Sequence, residues 1–360
     1  MILYLVLWLF LVSLCVLNPK NRHVSFFFLF FLCLLVFFRG KTVGTDVYGY
    51  SLNFDKMTDN PITWNYRIPF EIGFNYVVLF FKNYISSNPL NCWGLMGLFY
   101  TLSFYNFAKK YISNYINIAL LLFVLFGTYF LSYNIIRQSF ACALIFCLFT
   151  WVDIRKLTNR QILYVSLGII AVGYLFHPTV YIFILLVVCS STRICRIFTK
   201  KFLIVAVVLS LLLCISQVIM PFIMGLVDKF LLEGKLINYA LSNIKYGSDS
   251  GFSMQKLVLL SIFQVYTISV SKDVKNVFLL SSTLGVLFLN MFGVLVVEFA
   301  RVSELLMGIG LIYWAQVWGE MRTRSSFCWV YRMSLVIYVS LLYFNIIIKN
   351  YGEIVPYVLR

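Results

Sequence analysis

The segment Arg39-Gly40-Lys41-Thr42-Val43-Gly44-Thr45-Asp46-Val47-Tyr48-Gly49-Tyr50 brings two cations, three glycines, one acid and two tyrosines into twelve residues. Cations suit an anion such as phosphate, glycines permit close backbone approach, and a carboxylate serves as a base or accepts hydrogen bonds from sugar hydroxyls. A polar turn after a helix is the plainer alternative. Further along, Asn134, Arg137 and Gln138 share one helical face by their offsets of three and four. With no acid beside it in sequence, Arg137 either meets an anion or snorkels to lipid headgroups. His177, in Phe176-His177-Pro178-Thr179, either relays a proton or caps the turn before Pro178. Glu298, Arg301 and Glu304 recur at spacings of three, so an internal ion pair competes there with a ligand role. The other histidine, His23, sits in a basic loop and reads as solvated.

What must position these residues is a set of helices in a bilayer. At 62% hydrophobic, 19% aromatic and 12% charged over 360 residues, the chain carries about half the charge expected of a soluble domain. A spanning helix needs about 20 apolar residues. Predominantly apolar runs of that order number about twelve, within eleven to thirteen: 2–17, 24–38, 91–108, 116–133, 135–152, 162–176, 178–191, 202–222, 255–271, 276–297, 300–318 and 329–348. They predict an all-α, polytopic integral membrane protein forming a single transmembrane domain over 1–360. The first run lacks a basic leader and a small-residue cleavage site, so it reads as a retained span.

Two connections are long, 39–90 and 223–254; the second carries Gly234, Gly247, Ser248, Asp249, Ser250 and Gly251, the chemistry of a loop over a site. Within the first, residues 71–85 (EIGFNYVVLFFKNYI) place Glu71, Asn75 and Lys82 close together on a helical wheel, which predicts an interfacial or re-entrant amphipathic helix.

Charge orients the chain. With the amino terminus outside, alternate loops on the cytoplasmic side carry sixteen of the 29 Lys and Arg against three of the 13 acids. That bias predicts both termini outside and both long loops extracytoplasmic. It also accounts for the net charge of +16 without nucleic acid. Arg39, Asp46, Glu71, Arg137, His177 and Arg301 then all fall at the outer face.

No Walker loop, G-x-S-x-G, H-E-x-x-H or D-x-D pattern occurs, and the nine cysteines form no metal-ligand or disulfide spacing, so neither cofactor nor metal is expected. With no room for a soluble nucleotide-sugar domain, a sugar donor would arrive in the membrane. The anionic oxygens of a lipid-linked sugar pyrophosphate would meet Arg39, Arg137 and Arg301, and cations there would stabilise the leaving group.

Five short elements in order resemble the EpsG-like branch of the Wzy-type polysaccharide polymerases. Arg39 with GTDVYGY is similar to the R…GTD-x-Y-x-x-Y element, and Glu71-Ile72-Gly73-Phe74 to E-x-G-F. Asn134-Ile135-Ile136-Arg137-Gln138-Ser139-Phe140-Ala141 resembles the N/x-R-Q-x-x-A helix start. His177-Pro178-Thr179 resembles the family's His turn, and Phe299-Ala300-Arg301-Val302-Ser303-Glu304 its F-x-R-x-S-E element. One departure is that Tyr50 follows Tyr48 by two residues rather than three, so either tyrosine remains a candidate for substrate contact.

The resemblance implies a bacterial inner-membrane fold related to the GT-C-like membrane glycosyltransferases. It implies transfer of a growing glycan from undecaprenyl pyrophosphate to a lipid-linked oligosaccharide repeat unit of O-antigen, capsule or exopolysaccharide. Asp46, Glu71 and His177 would be the catalytic candidates. Arg39, Arg137 and Arg301 would bind pyrophosphate, and Tyr48, Tyr50, Asn134, Gln138 and Glu304 the glycan. Membrane lipids and a chain-length regulator protein would be the partners. A flippase or polysaccharide transporter, or an O-antigen ligase, is the alternative; a flippase would line a path across the bilayer with ionisable groups rather than crowd one side.

Overall fold

The computed structural model describes residues 2–17, 20–57, 70–191, 197–216, 254–271, 276–293, 297–320, 326–350, 352–355 and 357–358. The elements among these residues are all helices, with no strand. The loop expected at 223–254, apart from Met254, lies outside the described residues, as do the basic stretches 192–196, 272–275 and 321–325. Where the sequence reads as one transmembrane body, contacts cluster into two compact units, residues 1–188 with 318–360 and residues 189–317.

The first unit is an up-and-down bundle. Helix α1 (Ile2–Leu17) runs away from the end that carries Arg39, and α2 (Arg22–Phe37) returns to it. Two short helices lie at that end, α3 (Val47–Lys56) and α4 (Ile72–Tyr84). Then α5 (Pro89–Ile112) runs down, and its 24 residues span about 36 Å. Residues 113–115 reverse the chain into α6 (Ile116–Leu125), because Phe104 and Phe123 stack with centroids 3.9 Å apart. All ten residues of α6 are buried, as suits a helix that is apolar on every side. A 3₁₀ turn (Thr128–Phe130) and α7 (Leu131–Asn134) bring the chain back to the Arg39 end, where α8 (Ile136–Trp151) starts down again. Helix α9 (Asn159–Leu175) returns, opened by a Thr158/Gln161 capping box, and α10 (Ile182–Cys189) descends.

In the second unit α11 (Lys200–Ser216), α12 (Met254–Val270) and α13 (Val277–Phe288), extended by a π turn (Leu289–Gly293), pack against one another. Helix α14 (Val297–Glu320) packs on α13, and α15 (Ser326–Ile348) ends the first unit at the Arg39 face. Buried polar side chains stitch the second unit: Gln264 donates to Ser282 and Thr283, each at 2.9 Å, and Asn290 on the π turn donates to Ser210 and Ser261.

Among the described residues the apolar runs fall on helices, though 217–222 and 294–296 lie outside them and 178–191 opens with a 3₁₀ turn; one run needs correction. The run 116–133 is not a continuous rod: it breaks at Gly127, whose φ of 94° ends the helix. Its buried α6 spans only about 15 Å. By length and composition, Trp329–Ile348 is the one described helix that on its own would cross a membrane; a bent arrangement of Pro89–Leu125 with Thr128–Asn134 raises the number to two at most. The other apolar helices have ten to seventeen residues.

Candidate functional site

The 71–85 segment is a helix, but its polar side faces the protein rather than water. Lys82 donates to the carbonyls of Phe54, Asp55 and Met57 at 2.8–3.1 Å, closing the carboxyl end of α3 where the helix dipole is negative. Asn75 is 5% exposed and donates to the Phe70 carbonyl. The outward residues are instead Ile72, Tyr76, Phe80 and Tyr84, a stripe spaced by four. The offsets identified in the sequence are real, and the polar residues turn inward because the protein meets them: the end of α3 holds Lys82, the Phe70 carbonyl accepts from Asn75, and Arg137 pairs with Glu71.

Beneath α3 and α4 lies an apolar cluster that includes Tyr50, Phe54, Phe74, Val78, Trp93 and Ile136. Phe74 and Trp93 stack with planes 4° apart, and Trp93 donates its indole N–H to Ser51. Such aromatic pairs contribute about 0.5–1.5 kcal/mol each beyond area burial. Gly73 lets α4 approach α9: a Cβ there would sit 2.7 Å from the Leu175 carbonyl oxygen.

This platform holds a compact polar group. Arg137, on the first turn of α8, donates from Nη1 to Glu71 Oε2 at 2.7 Å and from Nε to the Tyr50 hydroxyl at 3.0 Å. Its guanidinium lies over the Phe70 ring, 4.5 Å from the centroid, and Phe70 stacks on Tyr50. Both ends of the ion pair are 18% exposed, so the pair is screened less than a surface bridge yet still reachable. A cation at a helix amino terminus opposes the local dipole, and Glu71 offsets that cost. Burial pushes the Tyr50 phenol up from its ordinary value, and Arg137 only partly counters it, so the phenol keeps its proton near neutral pH.

The Gly40–Asp46 segment is fixed by two neighbours. The Thr45 amide donates to Asn134 Oδ1, while Gly44 and Gly40 donate to the carbonyls of Glu353 and Val358. Gly44 has φ 109°, and a Cβ there would run into the Tyr133 carbonyl. Asp46 heads α3, half-buried, and accepts from the Thr45 hydroxyl at 3.3 Å; it lies within electrostatic reach of Tyr50, as does Glu71.

Asp46, Tyr50, Glu71 and Arg137 are therefore brought together, and Asn134 positions the segment next to them. Tyr50, not Tyr48, joins Arg137; Tyr48 is exposed, with the Lys41 ammonium 5.3 Å from its ring. His177 caps the turn before Pro178: its Nδ1 accepts from the Thr179 amide and lies 2.8 Å from the Thr179 hydroxyl. An accepting Nδ1 leaves the proton of the neutral ring on Nε2. The turn borders the site through Phe176, which packs on the cluster beneath α3 and α4.

Two expected surface contacts are internal. Arg39 is 2% exposed, with its guanidinium 4.9 Å from the centre of the Tyr133 ring, so it supports the Tyr129–Tyr133 aromatic group instead of facing outward. Gln138 is 1% exposed, because α8 turns that face into the bundle. Arg301 and Glu304 belong to the second unit, where Glu304 lies within electrostatic reach of Arg301 and Lys256. Among the described residues, no group of three His, Cys, Asp or Glu is arranged to hold a metal ion.

Sequence reasoning missed Phe70, although its place directly before Glu71 was the available signal. It also missed the carboxy-terminal segment 352–358, in which Ile354 accepts from the Tyr4 hydroxyl at 2.5 Å and Tyr357 donates to the Leu35 carbonyl. That segment carries no motif of its own.

A model of the EpsG family matches residues 22–359. No curated protein and no solved structure matches the chain.

Proposed function

The chain belongs to the EpsG family, membrane-associated and linked to polysaccharide biosynthesis, and on that footing we propose that it is a polymerase of lipid-linked glycan repeat units. The observation that carries the reading is the Arg137–Glu71–Tyr50 group, a cation held ready at the edge of an aromatic platform. The guanidinium's five N–H donors allow it to serve a carboxylate, a phenol and an incoming phosphate together.

In the proposed reaction an acceptor hydroxyl of a lipid-linked repeat unit attacks the anomeric carbon of the growing glycan. The bond from that carbon to the undecaprenyl pyrophosphate oxygen breaks as the new glycosidic bond forms. The hydroxyl proton passes to Asp46, and the charge left on the pyrophosphate is balanced by Arg137. Glu71 orients Arg137, and His177, with its proton on Nε2, is a donor at the edge rather than the base. Arg39 acts from beneath, by fixing Tyr133 and through it Asn134. Tyr48 and Lys41 offer an exposed aromatic and cationic edge to sugar.

A bilayer as solvent is supported by apolar stripes that water would penalise. On α9, Leu163, Leu167, Ile170 and Tyr174 are 46–70% exposed along one side. The bacterial inner membrane, with the Arg137 end and both chain ends outside, is the setting we assign.

Electrophoresis of surface polysaccharide from a deletion strain complemented with wild type or Asp46→Asn tests the reading. Polymerase function expects a single attached repeat unit from the deletion and from Asp46→Asn, and long chains from wild type. Loss of every repeat would assign flipping instead, and accumulation of free polymer would assign ligation. Long chains from Asp46→Asn would remove this residue as the base.

A further inference from the structure

Helix α4 turns its single charge away from its outer side. Of the thirteen residues Ile72–Tyr84 only Lys82 is charged, and its ammonium is taken up by the three carbonyls at the end of α3. A helix lying between water and lipid shows its cations to the water, whereas α4 shows its cation to the protein. Phe74 and Val78 pack inward on the cluster that holds Trp93. What remains outside is Ile72, Tyr76, Phe80 and Tyr84, 39–79% exposed, with the last two rings 5.3 Å apart. This stripe has a fixed beginning. Glu71, the N-cap of α4, holds Arg137, and Phe70 lies under the guanidinium, so Ile72 follows directly on the residues that hold the cation. From there α4 leads away over about 20 Å. On the other side of the same corner α3 presents exposed Tyr48 beside Lys41.

We propose that the outer stripe of α4 is the track for the isoprenoid chain of the lipid-linked donor, and that Phe80 and Tyr84 set a preference for a long chain. The inference rests on the donor of the polymerase reading and gives its lipid a place. A pyrophosphate at Arg137 carries sugar on one side and isoprenoid on the other, so apolar cover has to begin within a few bonds of the cation. The α4 stripe meets that demand because it starts beside Glu71. Sugar, phosphate and chain are then matched in order by Tyr48 with Lys41, by Arg137 and by α4. Aromatic side chains offer a large, rigid apolar area, which a flexible chain can cover at little cost in protein ordering. Phe80 stands about 12 Å beyond Ile72, out of reach of a short isoprenoid.

Full-length protein in phosphatidylcholine nanodiscs is irradiated with a polyprenyl pyrophosphate that carries a diazirine on its chain, and the labelled residues are read by mass spectrometry. Labelling is expected on 72–84 and is suppressed by unlabelled undecaprenyl pyrophosphate. Glycan transfer is then compared for repeat units carried on undecaprenyl and on geranyl pyrophosphate. The double variant Phe80→Ser with Tyr84→Ser is expected to raise KM for the undecaprenyl donor about tenfold, leaving kcat and the geranyl KM unchanged. Both side chains are exposed, so the fold is kept. Leu163→Ser with Leu167→Ser, an exposed apolar pair on α9, changes neither KM, which separates a track from general lipid cover. Labelling spread evenly over the exposed helices, an unchanged undecaprenyl KM in the α4 variant, or an equal rise in the α9 variant overturns the proposal. Labelled α4 in protein that transfers no glycan keeps the track and removes the polymerase; transfer with α4 unlabelled does the reverse.

Discussion

The two ends of the first unit use the same residue types in opposite ways. At the site end Arg137 is balanced by a carboxylate 2.7 Å away and a phenol, so its charge is aimed and partly spent within the protein. At the opposite end Lys20 and Arg332 rest on aromatic rings, and Arg332 and Lys110 donate to backbone carbonyls. A carbonyl takes a hydrogen bond without carrying a formal charge, so these contacts differ in kind from the one that Glu71 makes with Arg137. Pairing with a half-buried acid gives an oriented group suited to a reaction, whereas contacts to carbonyls and rings, beside the exposed Asp153–Arg155 pair, only fasten the cations in place.

An Arg→Lys exchange at each end separates the two designs. Arg137→Lys cannot reach Glu71 and the Tyr50 hydroxyl from one planar fork, and chain synthesis is expected to fall by about 10²-fold or more. Arg332→Lys keeps a donor for the Trp318 carbonyl and leaves chain length unchanged; an equal loss in both would break the comparison. Gly44→Ala tests how far the site end depends on a rigid loop. The left-handed φ and the Tyr133 carbonyl together are expected to cost about 3 kcal/mol, read as a lowered Tm with loss of polymer. Tyr50→Phe removes one hydrogen bond to the guanidinium while keeping the ring against Phe70 and Trp93. Activity should fall about tenfold with Tm nearly unchanged.

The smallest effect belongs to the opposite end. Asp153, bridged to Arg155 through both carboxylate oxygens, is held below the ordinary carboxylate value by that hydrogen bonding. A carboxyl with a lowered folded value stabilises the fold above its unfolded pKa and loses that contribution as pH falls through the lowered one. The pair is well exposed, so Asp153→Asn should shift Tm at pH 7 by only about 1 °C, and the gap to wild type should close in acid.

Much of this was legible in the sequence. Apolar runs located the helices, because burial on several sides leaves little room for charge. The motifs located Asp46, Glu71 and Arg137, since each is a charge the chain retains at a helix end. What the sequence could not give was direction. Arg39 and Arg137 look alike as arginines following apolar runs, yet Tyr133 covers one and Glu71 exposes the other to use. The wheel of 71–85 grouped Glu71, Asn75 and Lys82, but not what they meet, because the partners of Lys82 are backbone carbonyls at the end of α3, which no side-chain pattern announces. The break at Gly127 carried only a faint signal, the Gly127-Thr128 pair inside an otherwise apolar run.

The strap from Gly352 to Val358 also sets a schedule. Its partners, Gly40 and Gly44, emerge from the ribosome some 300 residues earlier, and at about 5–20 residues per second that is a wait of roughly 15–60 s. Until then the loop that carries Asp46 lacks half its anchorage. The Asp46 loop is thus fully anchored only after the segment around Glu353 and Val358 has been made.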